Sequence, residues 1–236
     1  MRNWFTFDGK SSKDFGVYIS GLNTFNGAER DQTKVSVVGR NGDLTIDNGR
    51  YNNTIISYPA FIYDHFSDNV AAFRNFLLSR TSYKRLEDTY HPDEFRIAKF
   101  TGSFDADVVA DLRGGEFELT FDCYPQRFLK RGEKEYSFTA AGAIRNDTDQ
   151  TALPLVRAYG DGTLTINGIT IAISGSDTYT DIDCDLQEAY KDTLSVSKNN
   201  TITLTSGEFF NLSSGDNAVS FTGLSEVIIT PRWWIL

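Results

Sequence analysis

Short runs of aromatic and β-branched residues, cut by Gly, Asn and Asp, fill most of the first half of the chain: NWFTFDG, FGVYISGL, KVSVVG, DLTID, FRIAKFTGSFDADVVAD and EFELTFDCY. Runs of this length between turn formers predict strands. One segment breaks the rhythm. In SDNVAAFRNFLLSR, Val70, Phe73 and Leu77 recur at helical spacing beside polar Arg74 and Asn75, and Ser67 stands where an N-cap belongs. The spacing predicts a helix over residues 67–80. In DLRGGEFEL, Gly114-Gly115 reads as a hairpin turn.

After PQRFLKRGEKE the helix signals stop, Ser and Thr rise, and every apolar run is of strand length. The change places a boundary near 133–137 and divides the chain into domains 1–135 and 136–236. In GDGTLTINGITIAISG, Leu164 and Ile166, then Ile169, Ile171 and Ile173, alternate with polar or small residues around Asn167-Gly168, a strong two-residue hairpin signal. Short strands with turn clusters over about 100 residues predict a β-sandwich. The fold class expected is mainly β, with one α-helix in the N-terminal domain.

TDIDCDLQEAYKD, residues 180–192, sets Asp181, Asp183 and Asp185 at the first alternate positions of a calcium loop. Such a loop needs glycine at its sixth position and glutamate at its twelfth; here these are Leu186 and Asp192. A period of two instead predicts a half-buried strand, with Tyr179, Asp181, Asp183 and Asp185 facing water and Ile182, Cys184 and Leu186 facing inward.

Acidic residues outnumber basic ones by 32 to 23, which opposes binding to phosphate backbones and anionic lipid surfaces. The N-terminal MRNWFTFDGKSS has no apolar signal region, and no apolar run approaches the roughly 18 residues of a membrane span. A product made in the cytoplasm, without membrane insertion, is expected. Cys123 and Cys184 stand far apart and are expected as buried free thiols. The two histidines, His65 and His91, lack the partner motifs of nucleophilic catalysis, and each is expected to make a local hydrogen bond at a turn or strand end. Glu116 and Glu118 share a strand face, but among 32 acidic residues such a pair singles out no glycosidase site. No phosphate loop, dinucleotide fingerprint or HExxH is present. These readings predict neither an enzyme, nor a cofactor, nor a bound metal.

The ending ITPRWWIL places two tryptophans side by side. In a strand Trp233 and Trp234 point to opposite faces, so at most one enters the core, and the other packs between domains, on a protein partner or on a sugar. Pro231 lacks an N–H and implies an edge or a bulge.

Six stretches in order resemble the distal tail proteins (Dit, or phage tail component proteins) of long-tailed phages that infect Gram-positive bacteria. They are FTFDGKSSKDFGVYIS at 5–20, VVGRNGDL at 37–44, YKRLEDTYHPDEFRIAKFTG at 83–102, LTFDCYPQRFLKRG at 119–132, DIDCDLQEAY at 181–190 and the terminal ITPRWWIL. The resemblance implies an N-terminal β-rich domain with one helix and a C-terminal galectin-like β-sandwich. It also implies a homo-hexameric ring at the tail tip of the virion, formed mainly by the N-terminal domain. That ring joins the tail tube protein and the tape-measure end to the tail-associated lysin or spike, carries receptor-binding proteins on its outer domains, and lets DNA pass through its lumen without specific binding. Galectin-type sugar sites use a histidine, and residues 138–236 contain none.

A closing ring needs heterologous contacts, which projecting hairpins supply. Residues 35–56, with turns expected at Asn41-Gly42 and Asn48-Gly49, are the expected subunit contact, centred on Val37, Arg40, Asn41, Gly42 and Leu44. Arg85, Glu87 and Asp88 read either as a local charge network fastening the helix end to the next strand or as a ring contact. Trp233 and Trp234 are the other candidate partner residues. A competing reading is a galectin-like module that binds cell-wall polysaccharide, which a glycan-binding screen separates from an adaptor.

Overall fold

A computed structural model describes residues 2–21, 26–63, 65–102, 104, 106–109 and 114–236, the strand at 106–109 by its backbone alone. The chain forms two compact units, 1–127 and 128–235, divided upstream of the change in composition at 133–137.

In the first unit, antiparallel strands run in the order Lys10–Ser11, Phe5–Phe7, Lys84–Asp88, Glu94–Phe100, Gly114–Cys123, Thr54–Ile62 and Val17–Ile19, with Ala106–Val109 paired to Gly114–Cys123. Strand alternation puts Phe117, Leu119, Phe121 and Cys123 on the buried face and leaves Glu116 and Glu118 exposed. The helix spans Phe66–Leu78 and buries Phe66, Phe73, Phe76 and Leu77 against that face. It begins one residue before the expected Ser67. The residue at the N-cap is His65, held at φ 52°, and Ser67 lies in the first turn, because buried Phe66 belongs to the helix.

The long strand Thr54–Ile62, which carries Pro59, is not among the expected elements. The register explains the tolerance. Pro59 lies opposite Glu118, and its carbonyl accepts from Ser20 N at 2.8 Å, on the side away from the Gly114–Cys123 strand. The missing N–H therefore faces the flank where Val17–Ile19 has ended, and no ladder bond to the central strand is lost. Gly114 and Gly115 are not a turn: they open a strand and pair with Val109 and Val108. Residues 110–113 lie outside the described residues.

The second unit is a β-sandwich. One sheet orders Tyr136–Phe138, Glu226–Thr230, Leu155–Tyr159, Tyr179–Asp183, Glu188–Lys191 and Thr193–Ser197. The other orders Gly142–Asn146, Gly215–Thr222, Gly162–Ile166, Ile169–Ile173 and Ile202–Leu204. Val156, Ile182, Val227 and Ile229 of the first sheet share a core with Ile144, Leu164, Ile166, Ile171 and Val219 of the second. The predicted hairpin forms around Asn167 (φ 52°) and Gly168 (φ 83°), the backbone of a type I′ turn.

Cys123 and Cys184 are buried free thiols, each pushed up to about 12 chiefly by burial. The thiolate is the reactive species, so native protein at pH 8 should consume no thiol-disulfide reagent over minutes, whereas denatured protein releases two equivalents. Rapid reaction in the native state would show that one core opens.

Candidate functional site

The strongest candidate surface is a two-stranded ribbon in the first unit, Arg30–Val35 with Leu44–Tyr51, that pairs with no other described strand. Its register sets Val35 opposite Leu44 and Thr33 opposite Ile46, so Val35, Leu44 and Ile46 share one face. Gln32, Lys34, Thr45 and Asp47 lie on the other. The apolar face is uncovered: Val35, Leu44 and Ile46 are 40%, 41% and 55% exposed.

Polar pairs hold the base of the ribbon. Arg30 Nε donates to Asp47 Oδ2 at 2.8 Å, and Arg50 Nε donates to Asp31 Oδ2 at 2.6 Å. Asn48 Nδ2 donates to Asp31 Oδ1 at 3.0 Å. Asn48 first and Arg50 second hold the Asp31 carboxyl below its ordinary value; Arg30 and then the Gly49 N–H do the same for Asp47.

The expected interface residues fall within this element, but its turns differ from those expected. The chain reverses at Val38-Gly39, where Arg40 N donates to Val37 O at 3.1 Å, and Asn41-Gly42 forms a bend further along the loop. The strand expected in KVSVVG accordingly ends at Val35. Asn48-Gly49 is not a turn but lies inside the second strand, where the register slips opposite Arg30 to Gln32. Gly49, at φ 74°, supplies the backbone such an irregularity needs. Val37 and Val38 stand exposed at the tip.

Arg85, Glu87 and Asp88 do not form one network. On the strand Lys84–Asp88, Arg85 and Glu87 share a face and pair at 2.5 Å, with the Arg85 guanidinium 3.7 Å from the Phe95 ring centroid. Asp88 points to the other face, where Oδ2 accepts from Tyr58 OH at 2.7 Å and Oδ1 accepts from His91 N at 2.8 Å. The helix end is fastened by other residues: Arg80 and Lys84 both reach Asp8, at 3.1 and 3.8 Å. Side-chain alternation along a strand separates what sequence proximity groups together.

In the second unit the acidic strand is not in water. Asp181 and Asp183 are 2% and 3% exposed. Each sits in a bidentate guanidinium fork: Arg157 Nε and Nη2 donate to Asp181 at 2.6 and 2.9 Å, and Arg232 Nη1 and Nη2 donate to Asp183 at 2.7 and 2.8 Å. Asp183 Oδ1 also accepts from Asp185 N and Leu186 N, which turns the chain after the strand and leaves Leu186 51% exposed rather than buried. Among the described residues, no three acidic, histidine or cysteine side chains are grouped to hold a metal.

Arg232 reaches Asp183 from a left-handed backbone, φ 56°, immediately after Pro231. The segment is clamped against residue 132: Arg232 N donates to Gly132 O at 2.8 Å, and a Cβ at Gly132 would lie 2.3 Å from Trp233 N. Trp233 is 3% exposed in the sandwich core, and half-buried Trp234 packs on the same core while its Nε1 donates to Thr151 O at 3.0 Å. Both tryptophans thus serve the packing of their own unit.

No protein-family model matches the sequence, and no curated protein matches it. The fold does match a solved structure. Over 100% of both chains, at a TM-score of 0.74 and 14% sequence identity, it is similar to SPP1 Dit (gp 19.1), described as a paradigm of the hub adsorption apparatus in phages infecting Gram-positive bacteria.

Proposed function

We propose that this protein is a structural component of a phage tail tip, a distal tail adaptor with no catalytic activity. The observation that carries the reading is the end-to-end likeness to SPP1 Dit, which spans both units rather than one common module. In this reading six copies close into a ring through the first unit. The ring joins the tail tube and the tape-measure end to a lysin or spike, and its outer domains carry receptor-binding proteins.

The exposed ribbon supplies the contact. An isolated two-stranded hairpin is marginal in water, and this one has an apolar face with no described element beneath it. Seating that face on a neighbouring copy buries Val35, Leu44 and Ile46 and gives the ribbon the support its own chain lacks. The contact is heterologous, and with a rotation of one sixth of a turn between copies it closes a six-membered ring. Arg40, Asn41 and Gly42 sit in the loop beyond the strands, placed to meet the neighbour with Val37.

Native mass measured across a concentration series, with negative-stain imaging of the largest species, tests the reading. Six-fold rings are expected. The triple variant Val35→Thr, Leu44→Thr, Ile46→Thr should leave the melting of the monomer within about 1 kcal/mol of wild type, as for exposed positions, and shift the mass to the monomer. Rings that persist in this variant would exclude the apolar face as the contact. A wild-type chain that stays monomeric even with its neighbouring tail proteins present would overturn the adaptor reading.

A further inference from the structure

The first unit contains a buried cation that no fold contact accounts for. Arg96 points inward from the strand Glu94–Phe100 and is 7% exposed, yet makes no hydrogen bond or ion pair with any described residue. Glu94 attracts it only through space, and no charged group among the described residues pairs with it. Arg127 repels it and is itself held by Glu94 at 2.6 Å. Asp88 is occupied by Tyr58 and His91 N. Burial, more than any neighbouring charge, pulls the guanidinium pKa down. The residue is 7% exposed, and what remains accessible of its guanidinium opens on the cavity, where an anion would meet it better than water does.

Arg96 lines a cavity of about 230 Å³ that also touches Ile56, Tyr58, Pro59, Asp88 and Glu118. We propose that this cavity binds a carboxylate group carried on a short apolar stem, with Arg96 as the recognition residue. The guanidinium offers the planar fork that a carboxylate accepts bidentately. Ile56, the Tyr58 ring and Pro59 provide apolar wall for the stem. Asp88 and Glu118 at the same cavity select against a phosphate dianion, which would add a second negative charge beside two carboxylates. The ligand class is therefore a small monocarboxylate, or a carboxylate side chain of similar size.

Sodium propionate is the probe, added to the full-length protein at constant ionic strength with sodium chloride as the balancing salt. Saturation-transfer NMR should show bound propionate. The melting temperature should rise by roughly 5 °C or more at a hundredfold excess over the dissociation constant, and inorganic phosphate should act at least tenfold more weakly. Arg96→Met removes the buried charge, should melt no lower than wild type without the probe, and should lose the response to propionate. Arg96→Lys, which keeps the charge without the fork, should respond at least threefold more weakly than wild type. An equal response of wild type and Arg96→Met, or of chloride and propionate, would overturn the proposal. So would a wild type that ignores propionate while Arg96→Met melts far lower, since the guanidinium would then be a structural element.

Discussion

Phe121→Ala is expected to destabilise the first unit by about 3–5 kcal/mol, the cost of deleting a buried phenyl ring and leaving the space unfilled. Phe121 is fully buried, and its ring meets those of Phe5, Phe7, Tyr58 and Phe100 at centroid distances of 5.6, 5.3, 6.0 and 5.6 Å, all near edge-to-face. These partners come from three strands, Phe5–Phe7, Thr54–Ile62 and Glu94–Phe100, so one truncation loosens the packing that ties them together. Aromatic pairs of this geometry contribute beyond their buried area, and alanine retains none of them. Phe121→Leu, which keeps most of the volume, should cost less than half as much. Urea unfolding of the two variants, followed by tryptophan fluorescence, measures the difference. A loss below about 1 kcal/mol for the alanine variant would show that the rings close the gap by repacking. The change also bears on assembly, because the strand Thr54–Ile62 that pairs with Phe121's strand follows directly from the ribbon.

Arg232→Ala should destabilise the second unit by about 3 kcal/mol, because it leaves the Asp183 carboxylate buried without its counter-charge. The figure is taken at the low end of the range for buried pairs because the Arg232 side chain keeps 29% exposure. The double variant Asp183→Asn, Arg232→Met, which removes both charges together, should recover at least half of that loss. The coupling between the two positions then reports the pair itself. A double variant no more stable than Arg232→Ala would place the effect in the left-handed turn at residue 232 rather than in the ion pair.

Acid should act through the same pair. Burial pushes the Asp183 carboxyl up, but donation from Arg232 and its charge, with two backbone N–H groups, pull it down further, so that the net value lies below the ordinary 3.8. The folded value is thus depressed relative to the unfolded chain. The contribution is fully present above pH 3.8 and lost as the pH falls through the lower folded value. Asp183→Asn should flatten the stability profile of the second unit in that acid range and leave the first unit unchanged.

Much of the architecture follows from local pattern. Alternation specifies the strands of both units, the 3.6-residue spacing of Val70, Phe73 and Leu77 specifies the helix, and Asn167-Gly168 specifies the hairpin, because each needs only neighbours in the chain to define its period or its positive φ. The ribbon is legible in the same way, as strand residues around a glycine-bearing loop. What it exposes is not: that Val35, Leu44 and Ile46 form one open face depends on the register and on there being no described strand beside them.

Several departures share one cause, a partner distant in sequence. Asp181 and Asp183 look like a solvated acidic face until Arg157, 24 residues away, and Arg232, 49 residues away, are brought onto them. Pro59 sits in a strand at no cost to the ladder because the neighbouring strand ends on its N–H side. Arg96 shares the buried face of its strand with Ala98 and Phe100, and only the fold shows that this position lies beside a cavity. Sequence alone determined most of the extended segments, the helix and the Asn167-Gly168 turn, because those preferences belong to a residue and its near neighbours. Tertiary structure alone decided which charges are buried and which apolar face stays open, because desolvation and pairing depend on groups that only the folded chain brings within a few ångströms.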